Sequence, residues 1–322
     1  MICVPVSAGT NGDMLAMLGR AALEDAEAHE IRFDAMSEMP KIEHLVKAST
    51  RPVLATCRSR QEGGGFDGTR AERRNILRRA VKAGAAYVDA ETDDLDYLDY
   101  FAQYGAAIRI LSLHDFAGTP EDLTEQMYKL AEVKAADWVK FAVFAKTPAD
   151  NVRVFDAMRK CPKPVVGIAM GEIGIVSRIV GQYLGSRITF GSIGSGTESA
   201  PGQPTAKDLK QLYRINSINV ETEIHALLSG MGYGFPEVRA TNMQYADTAS
   251  NAVCIPFPSP DASSFMESIP GALNVTRISV VAPYQRAILR WANTFTDSAK
   301  GKNAANLLTR ADEGWLADYI EV

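Results

Sequence analysis

A lysine stands in the middle of an apolar run, Trp138-Val139-Lys140-Phe141-Ala142-Val143. An ammonium among apolar neighbours is costly to desolvate, so the group must pair with an acid, snorkel to water, or give up its proton. The deprotonated amine is a nucleophile. Toward a ketone it forms a Schiff base and turns the carbonyl into an electron sink. A strand-end lysine reaching solvent, or one held in a structural ion pair, is the other reading of the same residues. His114 closes a second apolar run. Beside a buried lysine it is the expected proton shuttle, while a histidine at a strand end also serves structure. Glu30 and Arg32 are two apart, hence on one face of a strand, with Asp34 just after them. They can act on a ligand or form a structural pair. Thr56-Cys57-Arg58 runs into Glu62-Gly63-Gly64-Gly65. No Gly-Lys-Ser/Thr follows, so these glycines read as backbone permission for a tight loop and not as a phosphate cradle. Ser177-Arg178 is a candidate site pair, or a stretch of surface helix. His29, His44 and His225 have no comparable neighbours and read as structural or solvated.

These residues need elements to position them. Short β-branched or apolar runs recur at Ile2 to Val6, Glu30 to Phe33, Pro52 to Cys57, Tyr87 to Glu91, Ala107 to Leu113, Trp138 to Val143, Val165 to Ala169 and Arg187 to Phe190. Between them lie segments of helical periodicity, among them Asp13 to Ala28, Thr69 to Ala83, Pro120 to Ala135 and Pro148 to Arg159. This α/β alternation, at roughly 25 residues per unit, predicts a (β/α)8 TIM barrel in preference to an open doubly wound sheet. Gly191 to Gly196 comes nearest to a dinucleotide loop but lacks its spacing. Barrels place their chemistry at the C-terminal ends of the strands. That is where Arg32, Arg58, Asp89 with Glu91, His114 and Lys140 fall. A loop after strand seven is expected to deliver Ser177 and Arg178. After strand eight comes Ser199-Ala200-Pro201-Gly202-Gln203-Pro204, a turn-rich loop of the kind that closes over a ligand.

A chain of 322 residues suggests two domains. The sequence is 46% hydrophobic and 23% charged, as in ordinary soluble proteins, and no run approaches a membrane span. Met1 to Val6 lacks a basic leader and reads as a first strand. The expectation is a cytoplasmic protein without membrane association. Cys3, Cys57, Cys161 and Cys254 are widely spaced with no C-x-x-C pair, which suits reduced thiols rather than zinc or disulfides. A net charge of −5 argues against a nucleic-acid partner and requires local arginines for any anionic ligand.

Taken in order, Glu30-Ile31-Arg32-Phe33-Asp34, Thr56-Cys57-Arg58 with Glu62-Gly63-Gly64, Ser112-Leu113-His114-Asp115-Phe116, Asp137-Trp138-Val139-Lys140, Met170-Gly171 with Ser177-Arg178, and Ser199-Ala200-Pro201-Gly202-Gln203 resemble the type I 3-dehydroquinate dehydratases. The resemblance spans residues 1 to about 210. It implies dehydration of 3-dehydroquinate to 3-dehydroshikimate, a shikimate-pathway step, without metal or cofactor, and admits a homodimer. It casts Lys140 as the imine-forming residue, His114 as the proton-transferring group and Glu62 as the carboxylate that orients it. Arg178 would take the substrate carboxylate, Glu30, Arg32 and Arg58 the ring hydroxyls, and Ser199 and Gln203 would sit on the lid. Lys140 is expected to point into the barrel mouth, with Val139 and Phe141 facing the helices and the arginines nearby. Desolvation and like charge would then lower its pKa from about 10.4.

Residues 211–322 form a second, smaller α/β domain in this reading. Asn251-Ala252-Val253-Cys254-Ile255-Pro256-Phe257, Ile278-Ser279-Val280-Val281-Ala282-Pro283-Tyr284-Gln285 and Asn303-Ala304-Ala305-Asn306 resemble the substrate domain of shikimate dehydrogenase. The departures are large. Gly232-Tyr233-Gly234-Phe235-Pro236 replaces that family's paired serines and Gln285 its catalytic lysine. Ile320-Glu321-Val322 stands where its catalytic aspartate is due, with no dinucleotide domain after it. The expectation is a degenerate module without dehydrogenase activity. Two other functions fit the barrel: a Schiff-base aldolase with phosphate held at Gly191-Ser192-Ile193-Gly194, and a non-catalytic metabolite sensor.

Overall fold

The computed structural model describes residues 1–194, 203–232 and 235–321. In its first part the chain alternates strictly: β1 (Ile2–Val6), α1 (Asn11–Ala21), β2 (Ala28–Arg32), α2 (Ile42–Ala48), β3 (Val53–Thr56), α3 (Arg70–Lys82), β4 (Tyr87–Glu91), α4 (Leu98–Phe101), β5 (Ile108–Asp115), α5 (Leu123–Glu132), β6 (Trp138–Phe144), α6 (Pro148–Lys160), β7 (Val165–Met170), α7 (Ile175–Val180) and β8 (Thr189–Phe190). All neighbours pair parallel, from β7 through β6, β5, β4, β3, β2 and β1 to β8. The ring closes where Ser186 bridges Val165 and the Arg187 amide donates to the Val165 carbonyl at 2.7 Å. This is the expected TIM barrel.

Parallel strands buried on both faces need apolar residues on both. In β6, Val139, Phe141 and Val143 join the core between sheet and helices, while Ala142 belongs to the inner cluster with Cys3, Leu54, Ile110, Val166 and Ile168. Lys140 lies between Val139 and Phe141 and therefore faces inward. Helix starts follow local chemistry. Thr69 and Glu72 form a capping box on α3, and Thr147 with Asp150 does the same on α6, where Pro148 opens the helix.

Several expected elements are shorter than their sequence pattern, among them α5, which runs from Leu123 to Glu132 and not from Pro120 to Ala135, and two more have a visible cause. Helix α1 ends at Ala21 rather than Ala28, because Ala28 and His29 are recruited into β2 by pairing with Cys3 and Val4. The last strand begins at Thr189 rather than Arg187, whose amide is spent on closing the ring.

A six-stranded mixed sheet follows, built from β9 (Glu223–Ser229), β10 (Ala252–Pro258), β11 (Val275–Val280), β12 (Thr294–Phe295), β13 (Leu307–Ala311) and β14 (Gly314–Asp318). Its order is β10-β9-β11-β13-β14-β12, with β9, β10 and β11 parallel and β13 antiparallel to both β11 and β14. Helices α8 (Pro236–Asp247), α9 (Ala262–Ala272) and α10 (Asp297–Lys302) complete it. The two parts meet where α6 packs on α9 and α7 on β10. Among the described residues no helix is long and apolar enough to cross a membrane.

Candidate active site

The C-terminal ends of the barrel strands surround a cavity of about 180 Å³ lined by Glu30, Arg32, Thr56, Arg58, Glu62, His114, Lys140, Arg178 and an apolar rim of Phe116, Ile168, Met170 and Phe190. Eight of the nine residues singled out in the sequence can be located. Seven of these line this cavity; Gln203 lines a separate depression with Ile175 of α7, and Ser199 is outside the described residues.

Lys140 is 5% exposed, and its Nζ donates to Asp89 Oδ2 at 2.8 Å. A counter-ion thus stands where a cluster of like charge was expected. The three arginines are not crowded onto the lysine. Arg32 pairs with Asp34 at 2.8 Å, and Arg58 is enclosed by acids. Arg58 Nη2 donates to Asp89 Oδ1 at 2.6 Å, and its Nη1 to Ser112 Oγ at 2.9 Å and to Glu62 and Glu91 at 3.2 Å each. Burial would raise the Asp89 carboxyl, but the Arg58 and Lys140 cations outweigh it and hold the group well below the usual carboxylate range. Asp89 therefore stays an anion shared by both cations.

His114 receives its orientation from Glu62, with 2.9 Å between Nδ1 and Oε2. The loop from Arg58 makes this geometry. Ser59 Oγ accepts from the Glu62 amide, and Gly63 turns the chain at φ +78°. A Cβ on Gly64 would come within 2.2 Å of the Arg58 carbonyl, and one on Gly65 within 2.5 Å of that of Asp34. Only glycine permits such approaches. Burial, then the Arg58 and Lys140 charges, pushes the His114 imidazole well below 6.5, so it is neutral at pH 7. Burial pushes Glu62 up to about 7, against Arg58 and aided by Glu91 and Asp89. When Glu62 is ionised it accepts from Nδ1–H, which leaves Nε2 as the basic nitrogen.

Glu30 and Arg32 do not pair with each other. Their shared face points them both inward, but Glu30 accepts from Thr56 Oγ1 at 2.9 Å and Arg32 turns to Asp34. Ser177 and Arg178 sit on the short helix α7, not on a loop. Ser177 Oγ accepts from the Ala169 amide at 2.9 Å and fastens the helix to the end of β7. Arg178 is 5% exposed and its guanidinium has no acidic partner among the described residues. Desolvation alone pulls it down to about 10, so it is still a cation at pH 7, whereas the acids around Arg32 and Arg58 push those two guanidinium groups upward. A buried, unpaired guanidinium lining a cavity is a seat for a carboxylate.

Sequence reasoning left Asp89, Glu91, Ser112 and Arg73 without a role. Asp89 and Glu91 carry a usable signal, since they share the inner face at a strand end as Lys140 does. Arg73 carries none. It reaches back from α3 to bind Glu91, Asp93 and Asp94. A second depression beside α3, about 340 Å³, holds Arg60, Arg70 and Arg73, but each is already matched to Asp67, Asp93 or Glu91. The other histidines are structural or solvated. His29 bonds Ser49, His225 engages Tyr245 and Ser279 through its two nitrogens, and His44 is exposed.

Residues 2–220 match the family model described as type I 3-dehydroquinase. A 3-dehydroquinate dehydratase of Methanococcus vannielii is 33% identical over 67% of this chain and 99% of its own length. The bifunctional 3-dehydroquinate dehydratase/shikimate dehydrogenase of Arabidopsis thaliana is 31% identical over 99% of this chain, which spans 54% of that protein. Among solved structures, the 3-dehydroquinate dehydratase of Geobacillus kaustophilus superposes with a TM-score of 0.61 at 26% identity, over 66% of this chain and 90% of its own. The fused dehydratase and dehydrogenase of S. pombe shares the fold over 98% of this chain and 64% of its own, with a TM-score of 0.56 at 20% identity. With a family match over most of its length and a shikimate-dehydrogenase-like segment behind it, the chain belongs to the type I 3-dehydroquinase family.

Proposed function

We propose that the barrel dehydrates 3-dehydroquinate to 3-dehydroshikimate through a Schiff base on Lys140. The observation that carries this reading is the shared cavity of Lys140, His114 and Arg178, in which an amine, a neutral base and a carboxylate seat are held by β6, β5 and helix α7. The Lys140 amine would attack the C3 ketone and expel water, giving a protonated imine whose charge replaces the ammonium beside Asp89. The anion then stabilises both states, and no charge is left uncompensated in the buried site. His114 would remove the C2 proton as the C–H electrons flow toward the iminium. It would return that proton to the C1 hydroxyl as the C1–O bond breaks. Water then releases the enone and restores the lysine.

We assign Arg178 to the substrate carboxylate and Glu30 and Arg32 to ring hydroxyls. Arg58 is better assigned to holding Asp89 and Glu62 than to a substrate hydroxyl, because both Nη atoms already serve protein acceptors. Ser199 and Gln203 are assigned to the lid. The aldolase alternative is weakened by the Gly191 and Ser192 amides, which donate to Cys3 and Pro204 carbonyls and are not free to cradle phosphate. In the second domain, beginning near residue 211, we infer no proton-transfer chemistry at Gln285, whose amide nitrogen donates to the Val280 carbonyl at 3.2 Å. Four unbonded cysteines suit a reducing, cytoplasmic setting. The test is turnover of 3-dehydroquinate by the purified chain, followed as absorbance of the conjugated enone. A flat trace at micromolar enzyme would sink the dehydratase reading and leave the sensor.

A further inference from the structure

Helix α7 carries Arg178, yet it has only six residues, too few to hold its own shape, so its position comes from what it packs against. One side is fastened to β7 through Ser177. The other lies on β10 of the second domain. Between β7 and α7, Glu172 reaches across the domain junction, and its Oε1 accepts from the Gly232 amide at 2.6 Å, in the loop after β9. A second contact involves Gln203. It borders a depression of about 260 Å³ with Ile175 of α7, Leu212, and Phe235 and Val238 from the start of α8. There Arg239 Nη2 pairs with Asp208 Oδ1 at 2.8 Å, which ties α8 to the turn of π-helix (Asp208–Leu212) that follows Gln203. Elsewhere the domains are joined away from the mouth, as where Arg159 Nη2 donates to the Ala272 carbonyl at 2.9 Å.

We propose that the second domain is a positioning element of the dehydratase site, with Glu172 and Arg239 as positioning residues that act through Arg178 and Gln203. This rests on the assignment of Arg178 to the substrate carboxylate. A bidentate guanidinium–carboxylate contact tolerates little displacement, so loosening α7 weakens substrate binding before it affects proton transfer at His114. The module's retention is thereby explained without any chemistry of its own.

The test uses the full chain and its Glu172→Ala, Glu172→Gln, Arg239→Ala and Arg159→Ala variants. Glu172→Ala is expected to raise KM for 3-dehydroquinate roughly fivefold with kcat within about twofold of the parent, since only a binding geometry is disturbed. Arg239→Ala should raise it by about threefold, as befits a half-exposed pair. Glu172→Gln keeps an acceptor for the Gly232 amide and should restore the parent KM, which a general loss of folding would not allow. Arg159→Ala touches the same interface away from the site and should leave KM unchanged. The proposal is overturned if Glu172→Ala combined with Arg239→Ala has the parent KM, or if Arg159→Ala raises KM equally. If the parent chain itself does not turn over 3-dehydroquinate, the dehydratase reading fails separately. Hydrogen exchange then decides the coupling: faster exchange at residues 172–180 in Glu172→Ala than in Arg159→Ala supports it, and equal exchange removes it.

Discussion

His114 in the barrel is partly buried and His225 in the second sheet is buried, and in both desolvation pushes the imidazole down, for His225 to about 4. Their surroundings part them. His225 spends Nδ1 on Tyr245 and Nε2 on Ser279, so nothing is left to move a proton. His114 spends Nδ1 on Glu62 and lines a cavity with Lys140. The same holds for the strand ends as a whole. Among the described residues the barrel mouth keeps a buried arginine without an acid, whereas the depression beside Gln285 keeps Lys302 on Glu321 at 3.1 Å and folds the Gln285 amide onto the backbone. Burial is common to both regions. Chemistry requires that a buried polar group also be left short of a partner, at a place a ligand can reach.

That contrast breaks most sharply at Lys140. Lys140→Ala should lower turnover by roughly 10⁴-fold or more, because the electron sink itself is removed. Borohydride with substrate should label Lys140 and no other lysine, which peptide mapping checks. Gln285→Lys, by contrast, should confer no NADPH-dependent reduction of 3-dehydroshikimate, followed as loss of NADPH absorbance. A reduction rate above background would erase the distinction between the regions. His114→Ala should cost about 10³-fold in kcat and still allow the reduced adduct, since imine formation and proton abstraction are separate steps.

Arg178→Ala comes next, with KM raised on the order of 100-fold and partial recovery in Arg178→Lys, which keeps the charge and loses the fork. An unchanged KM would mean that the unpaired guanidinium is not the carboxylate seat.

A subtler effect is expected from pH. Glu62 titrates near 7 in the folded protein, above the ordinary 4.5. Below that value it carries a proton and can donate to His114 Nδ1, placing the imidazole hydrogen on Nε2 and removing the base. Above it the carboxylate accepts from Nδ1–H and the base is restored. The ratio kcat/KM should therefore rise with pH through a midpoint near 7, and Glu62→Gln should lower the plateau and remove that limb. The smallest effect is that of a chelator, which should leave turnover unchanged. Activity lost in EDTA and returned by a divalent metal would require a different electrophile.

The strands, their inner ends and the inward lysine were legible from the sequence, because a period of two is local and survives into the folded chain. His114, Arg58 and Arg178 were legible as well, although α7 was read as a loop since a six-residue helix leaves no periodic trace. What could not be read is who pairs with whom. Glu30 and Arg32 share a face, yet Thr56 on the next strand and Asp34 in the following turn take them apart. Asp89 lies 51 residues before Lys140 and 31 after Arg58, and only the register of β3 through β6 and the curvature of the ring place it between them. The sequence by itself thus determined a barrel with Lys140 and His114 turned toward its mouth, because side-chain direction along a strand follows from backbone geometry. The tertiary structure alone decided that the lysine has a counter-ion, that Arg178 has none among the described residues, and that the second domain touches α7. Those outcomes depend on distances between elements, which no local pattern encodes.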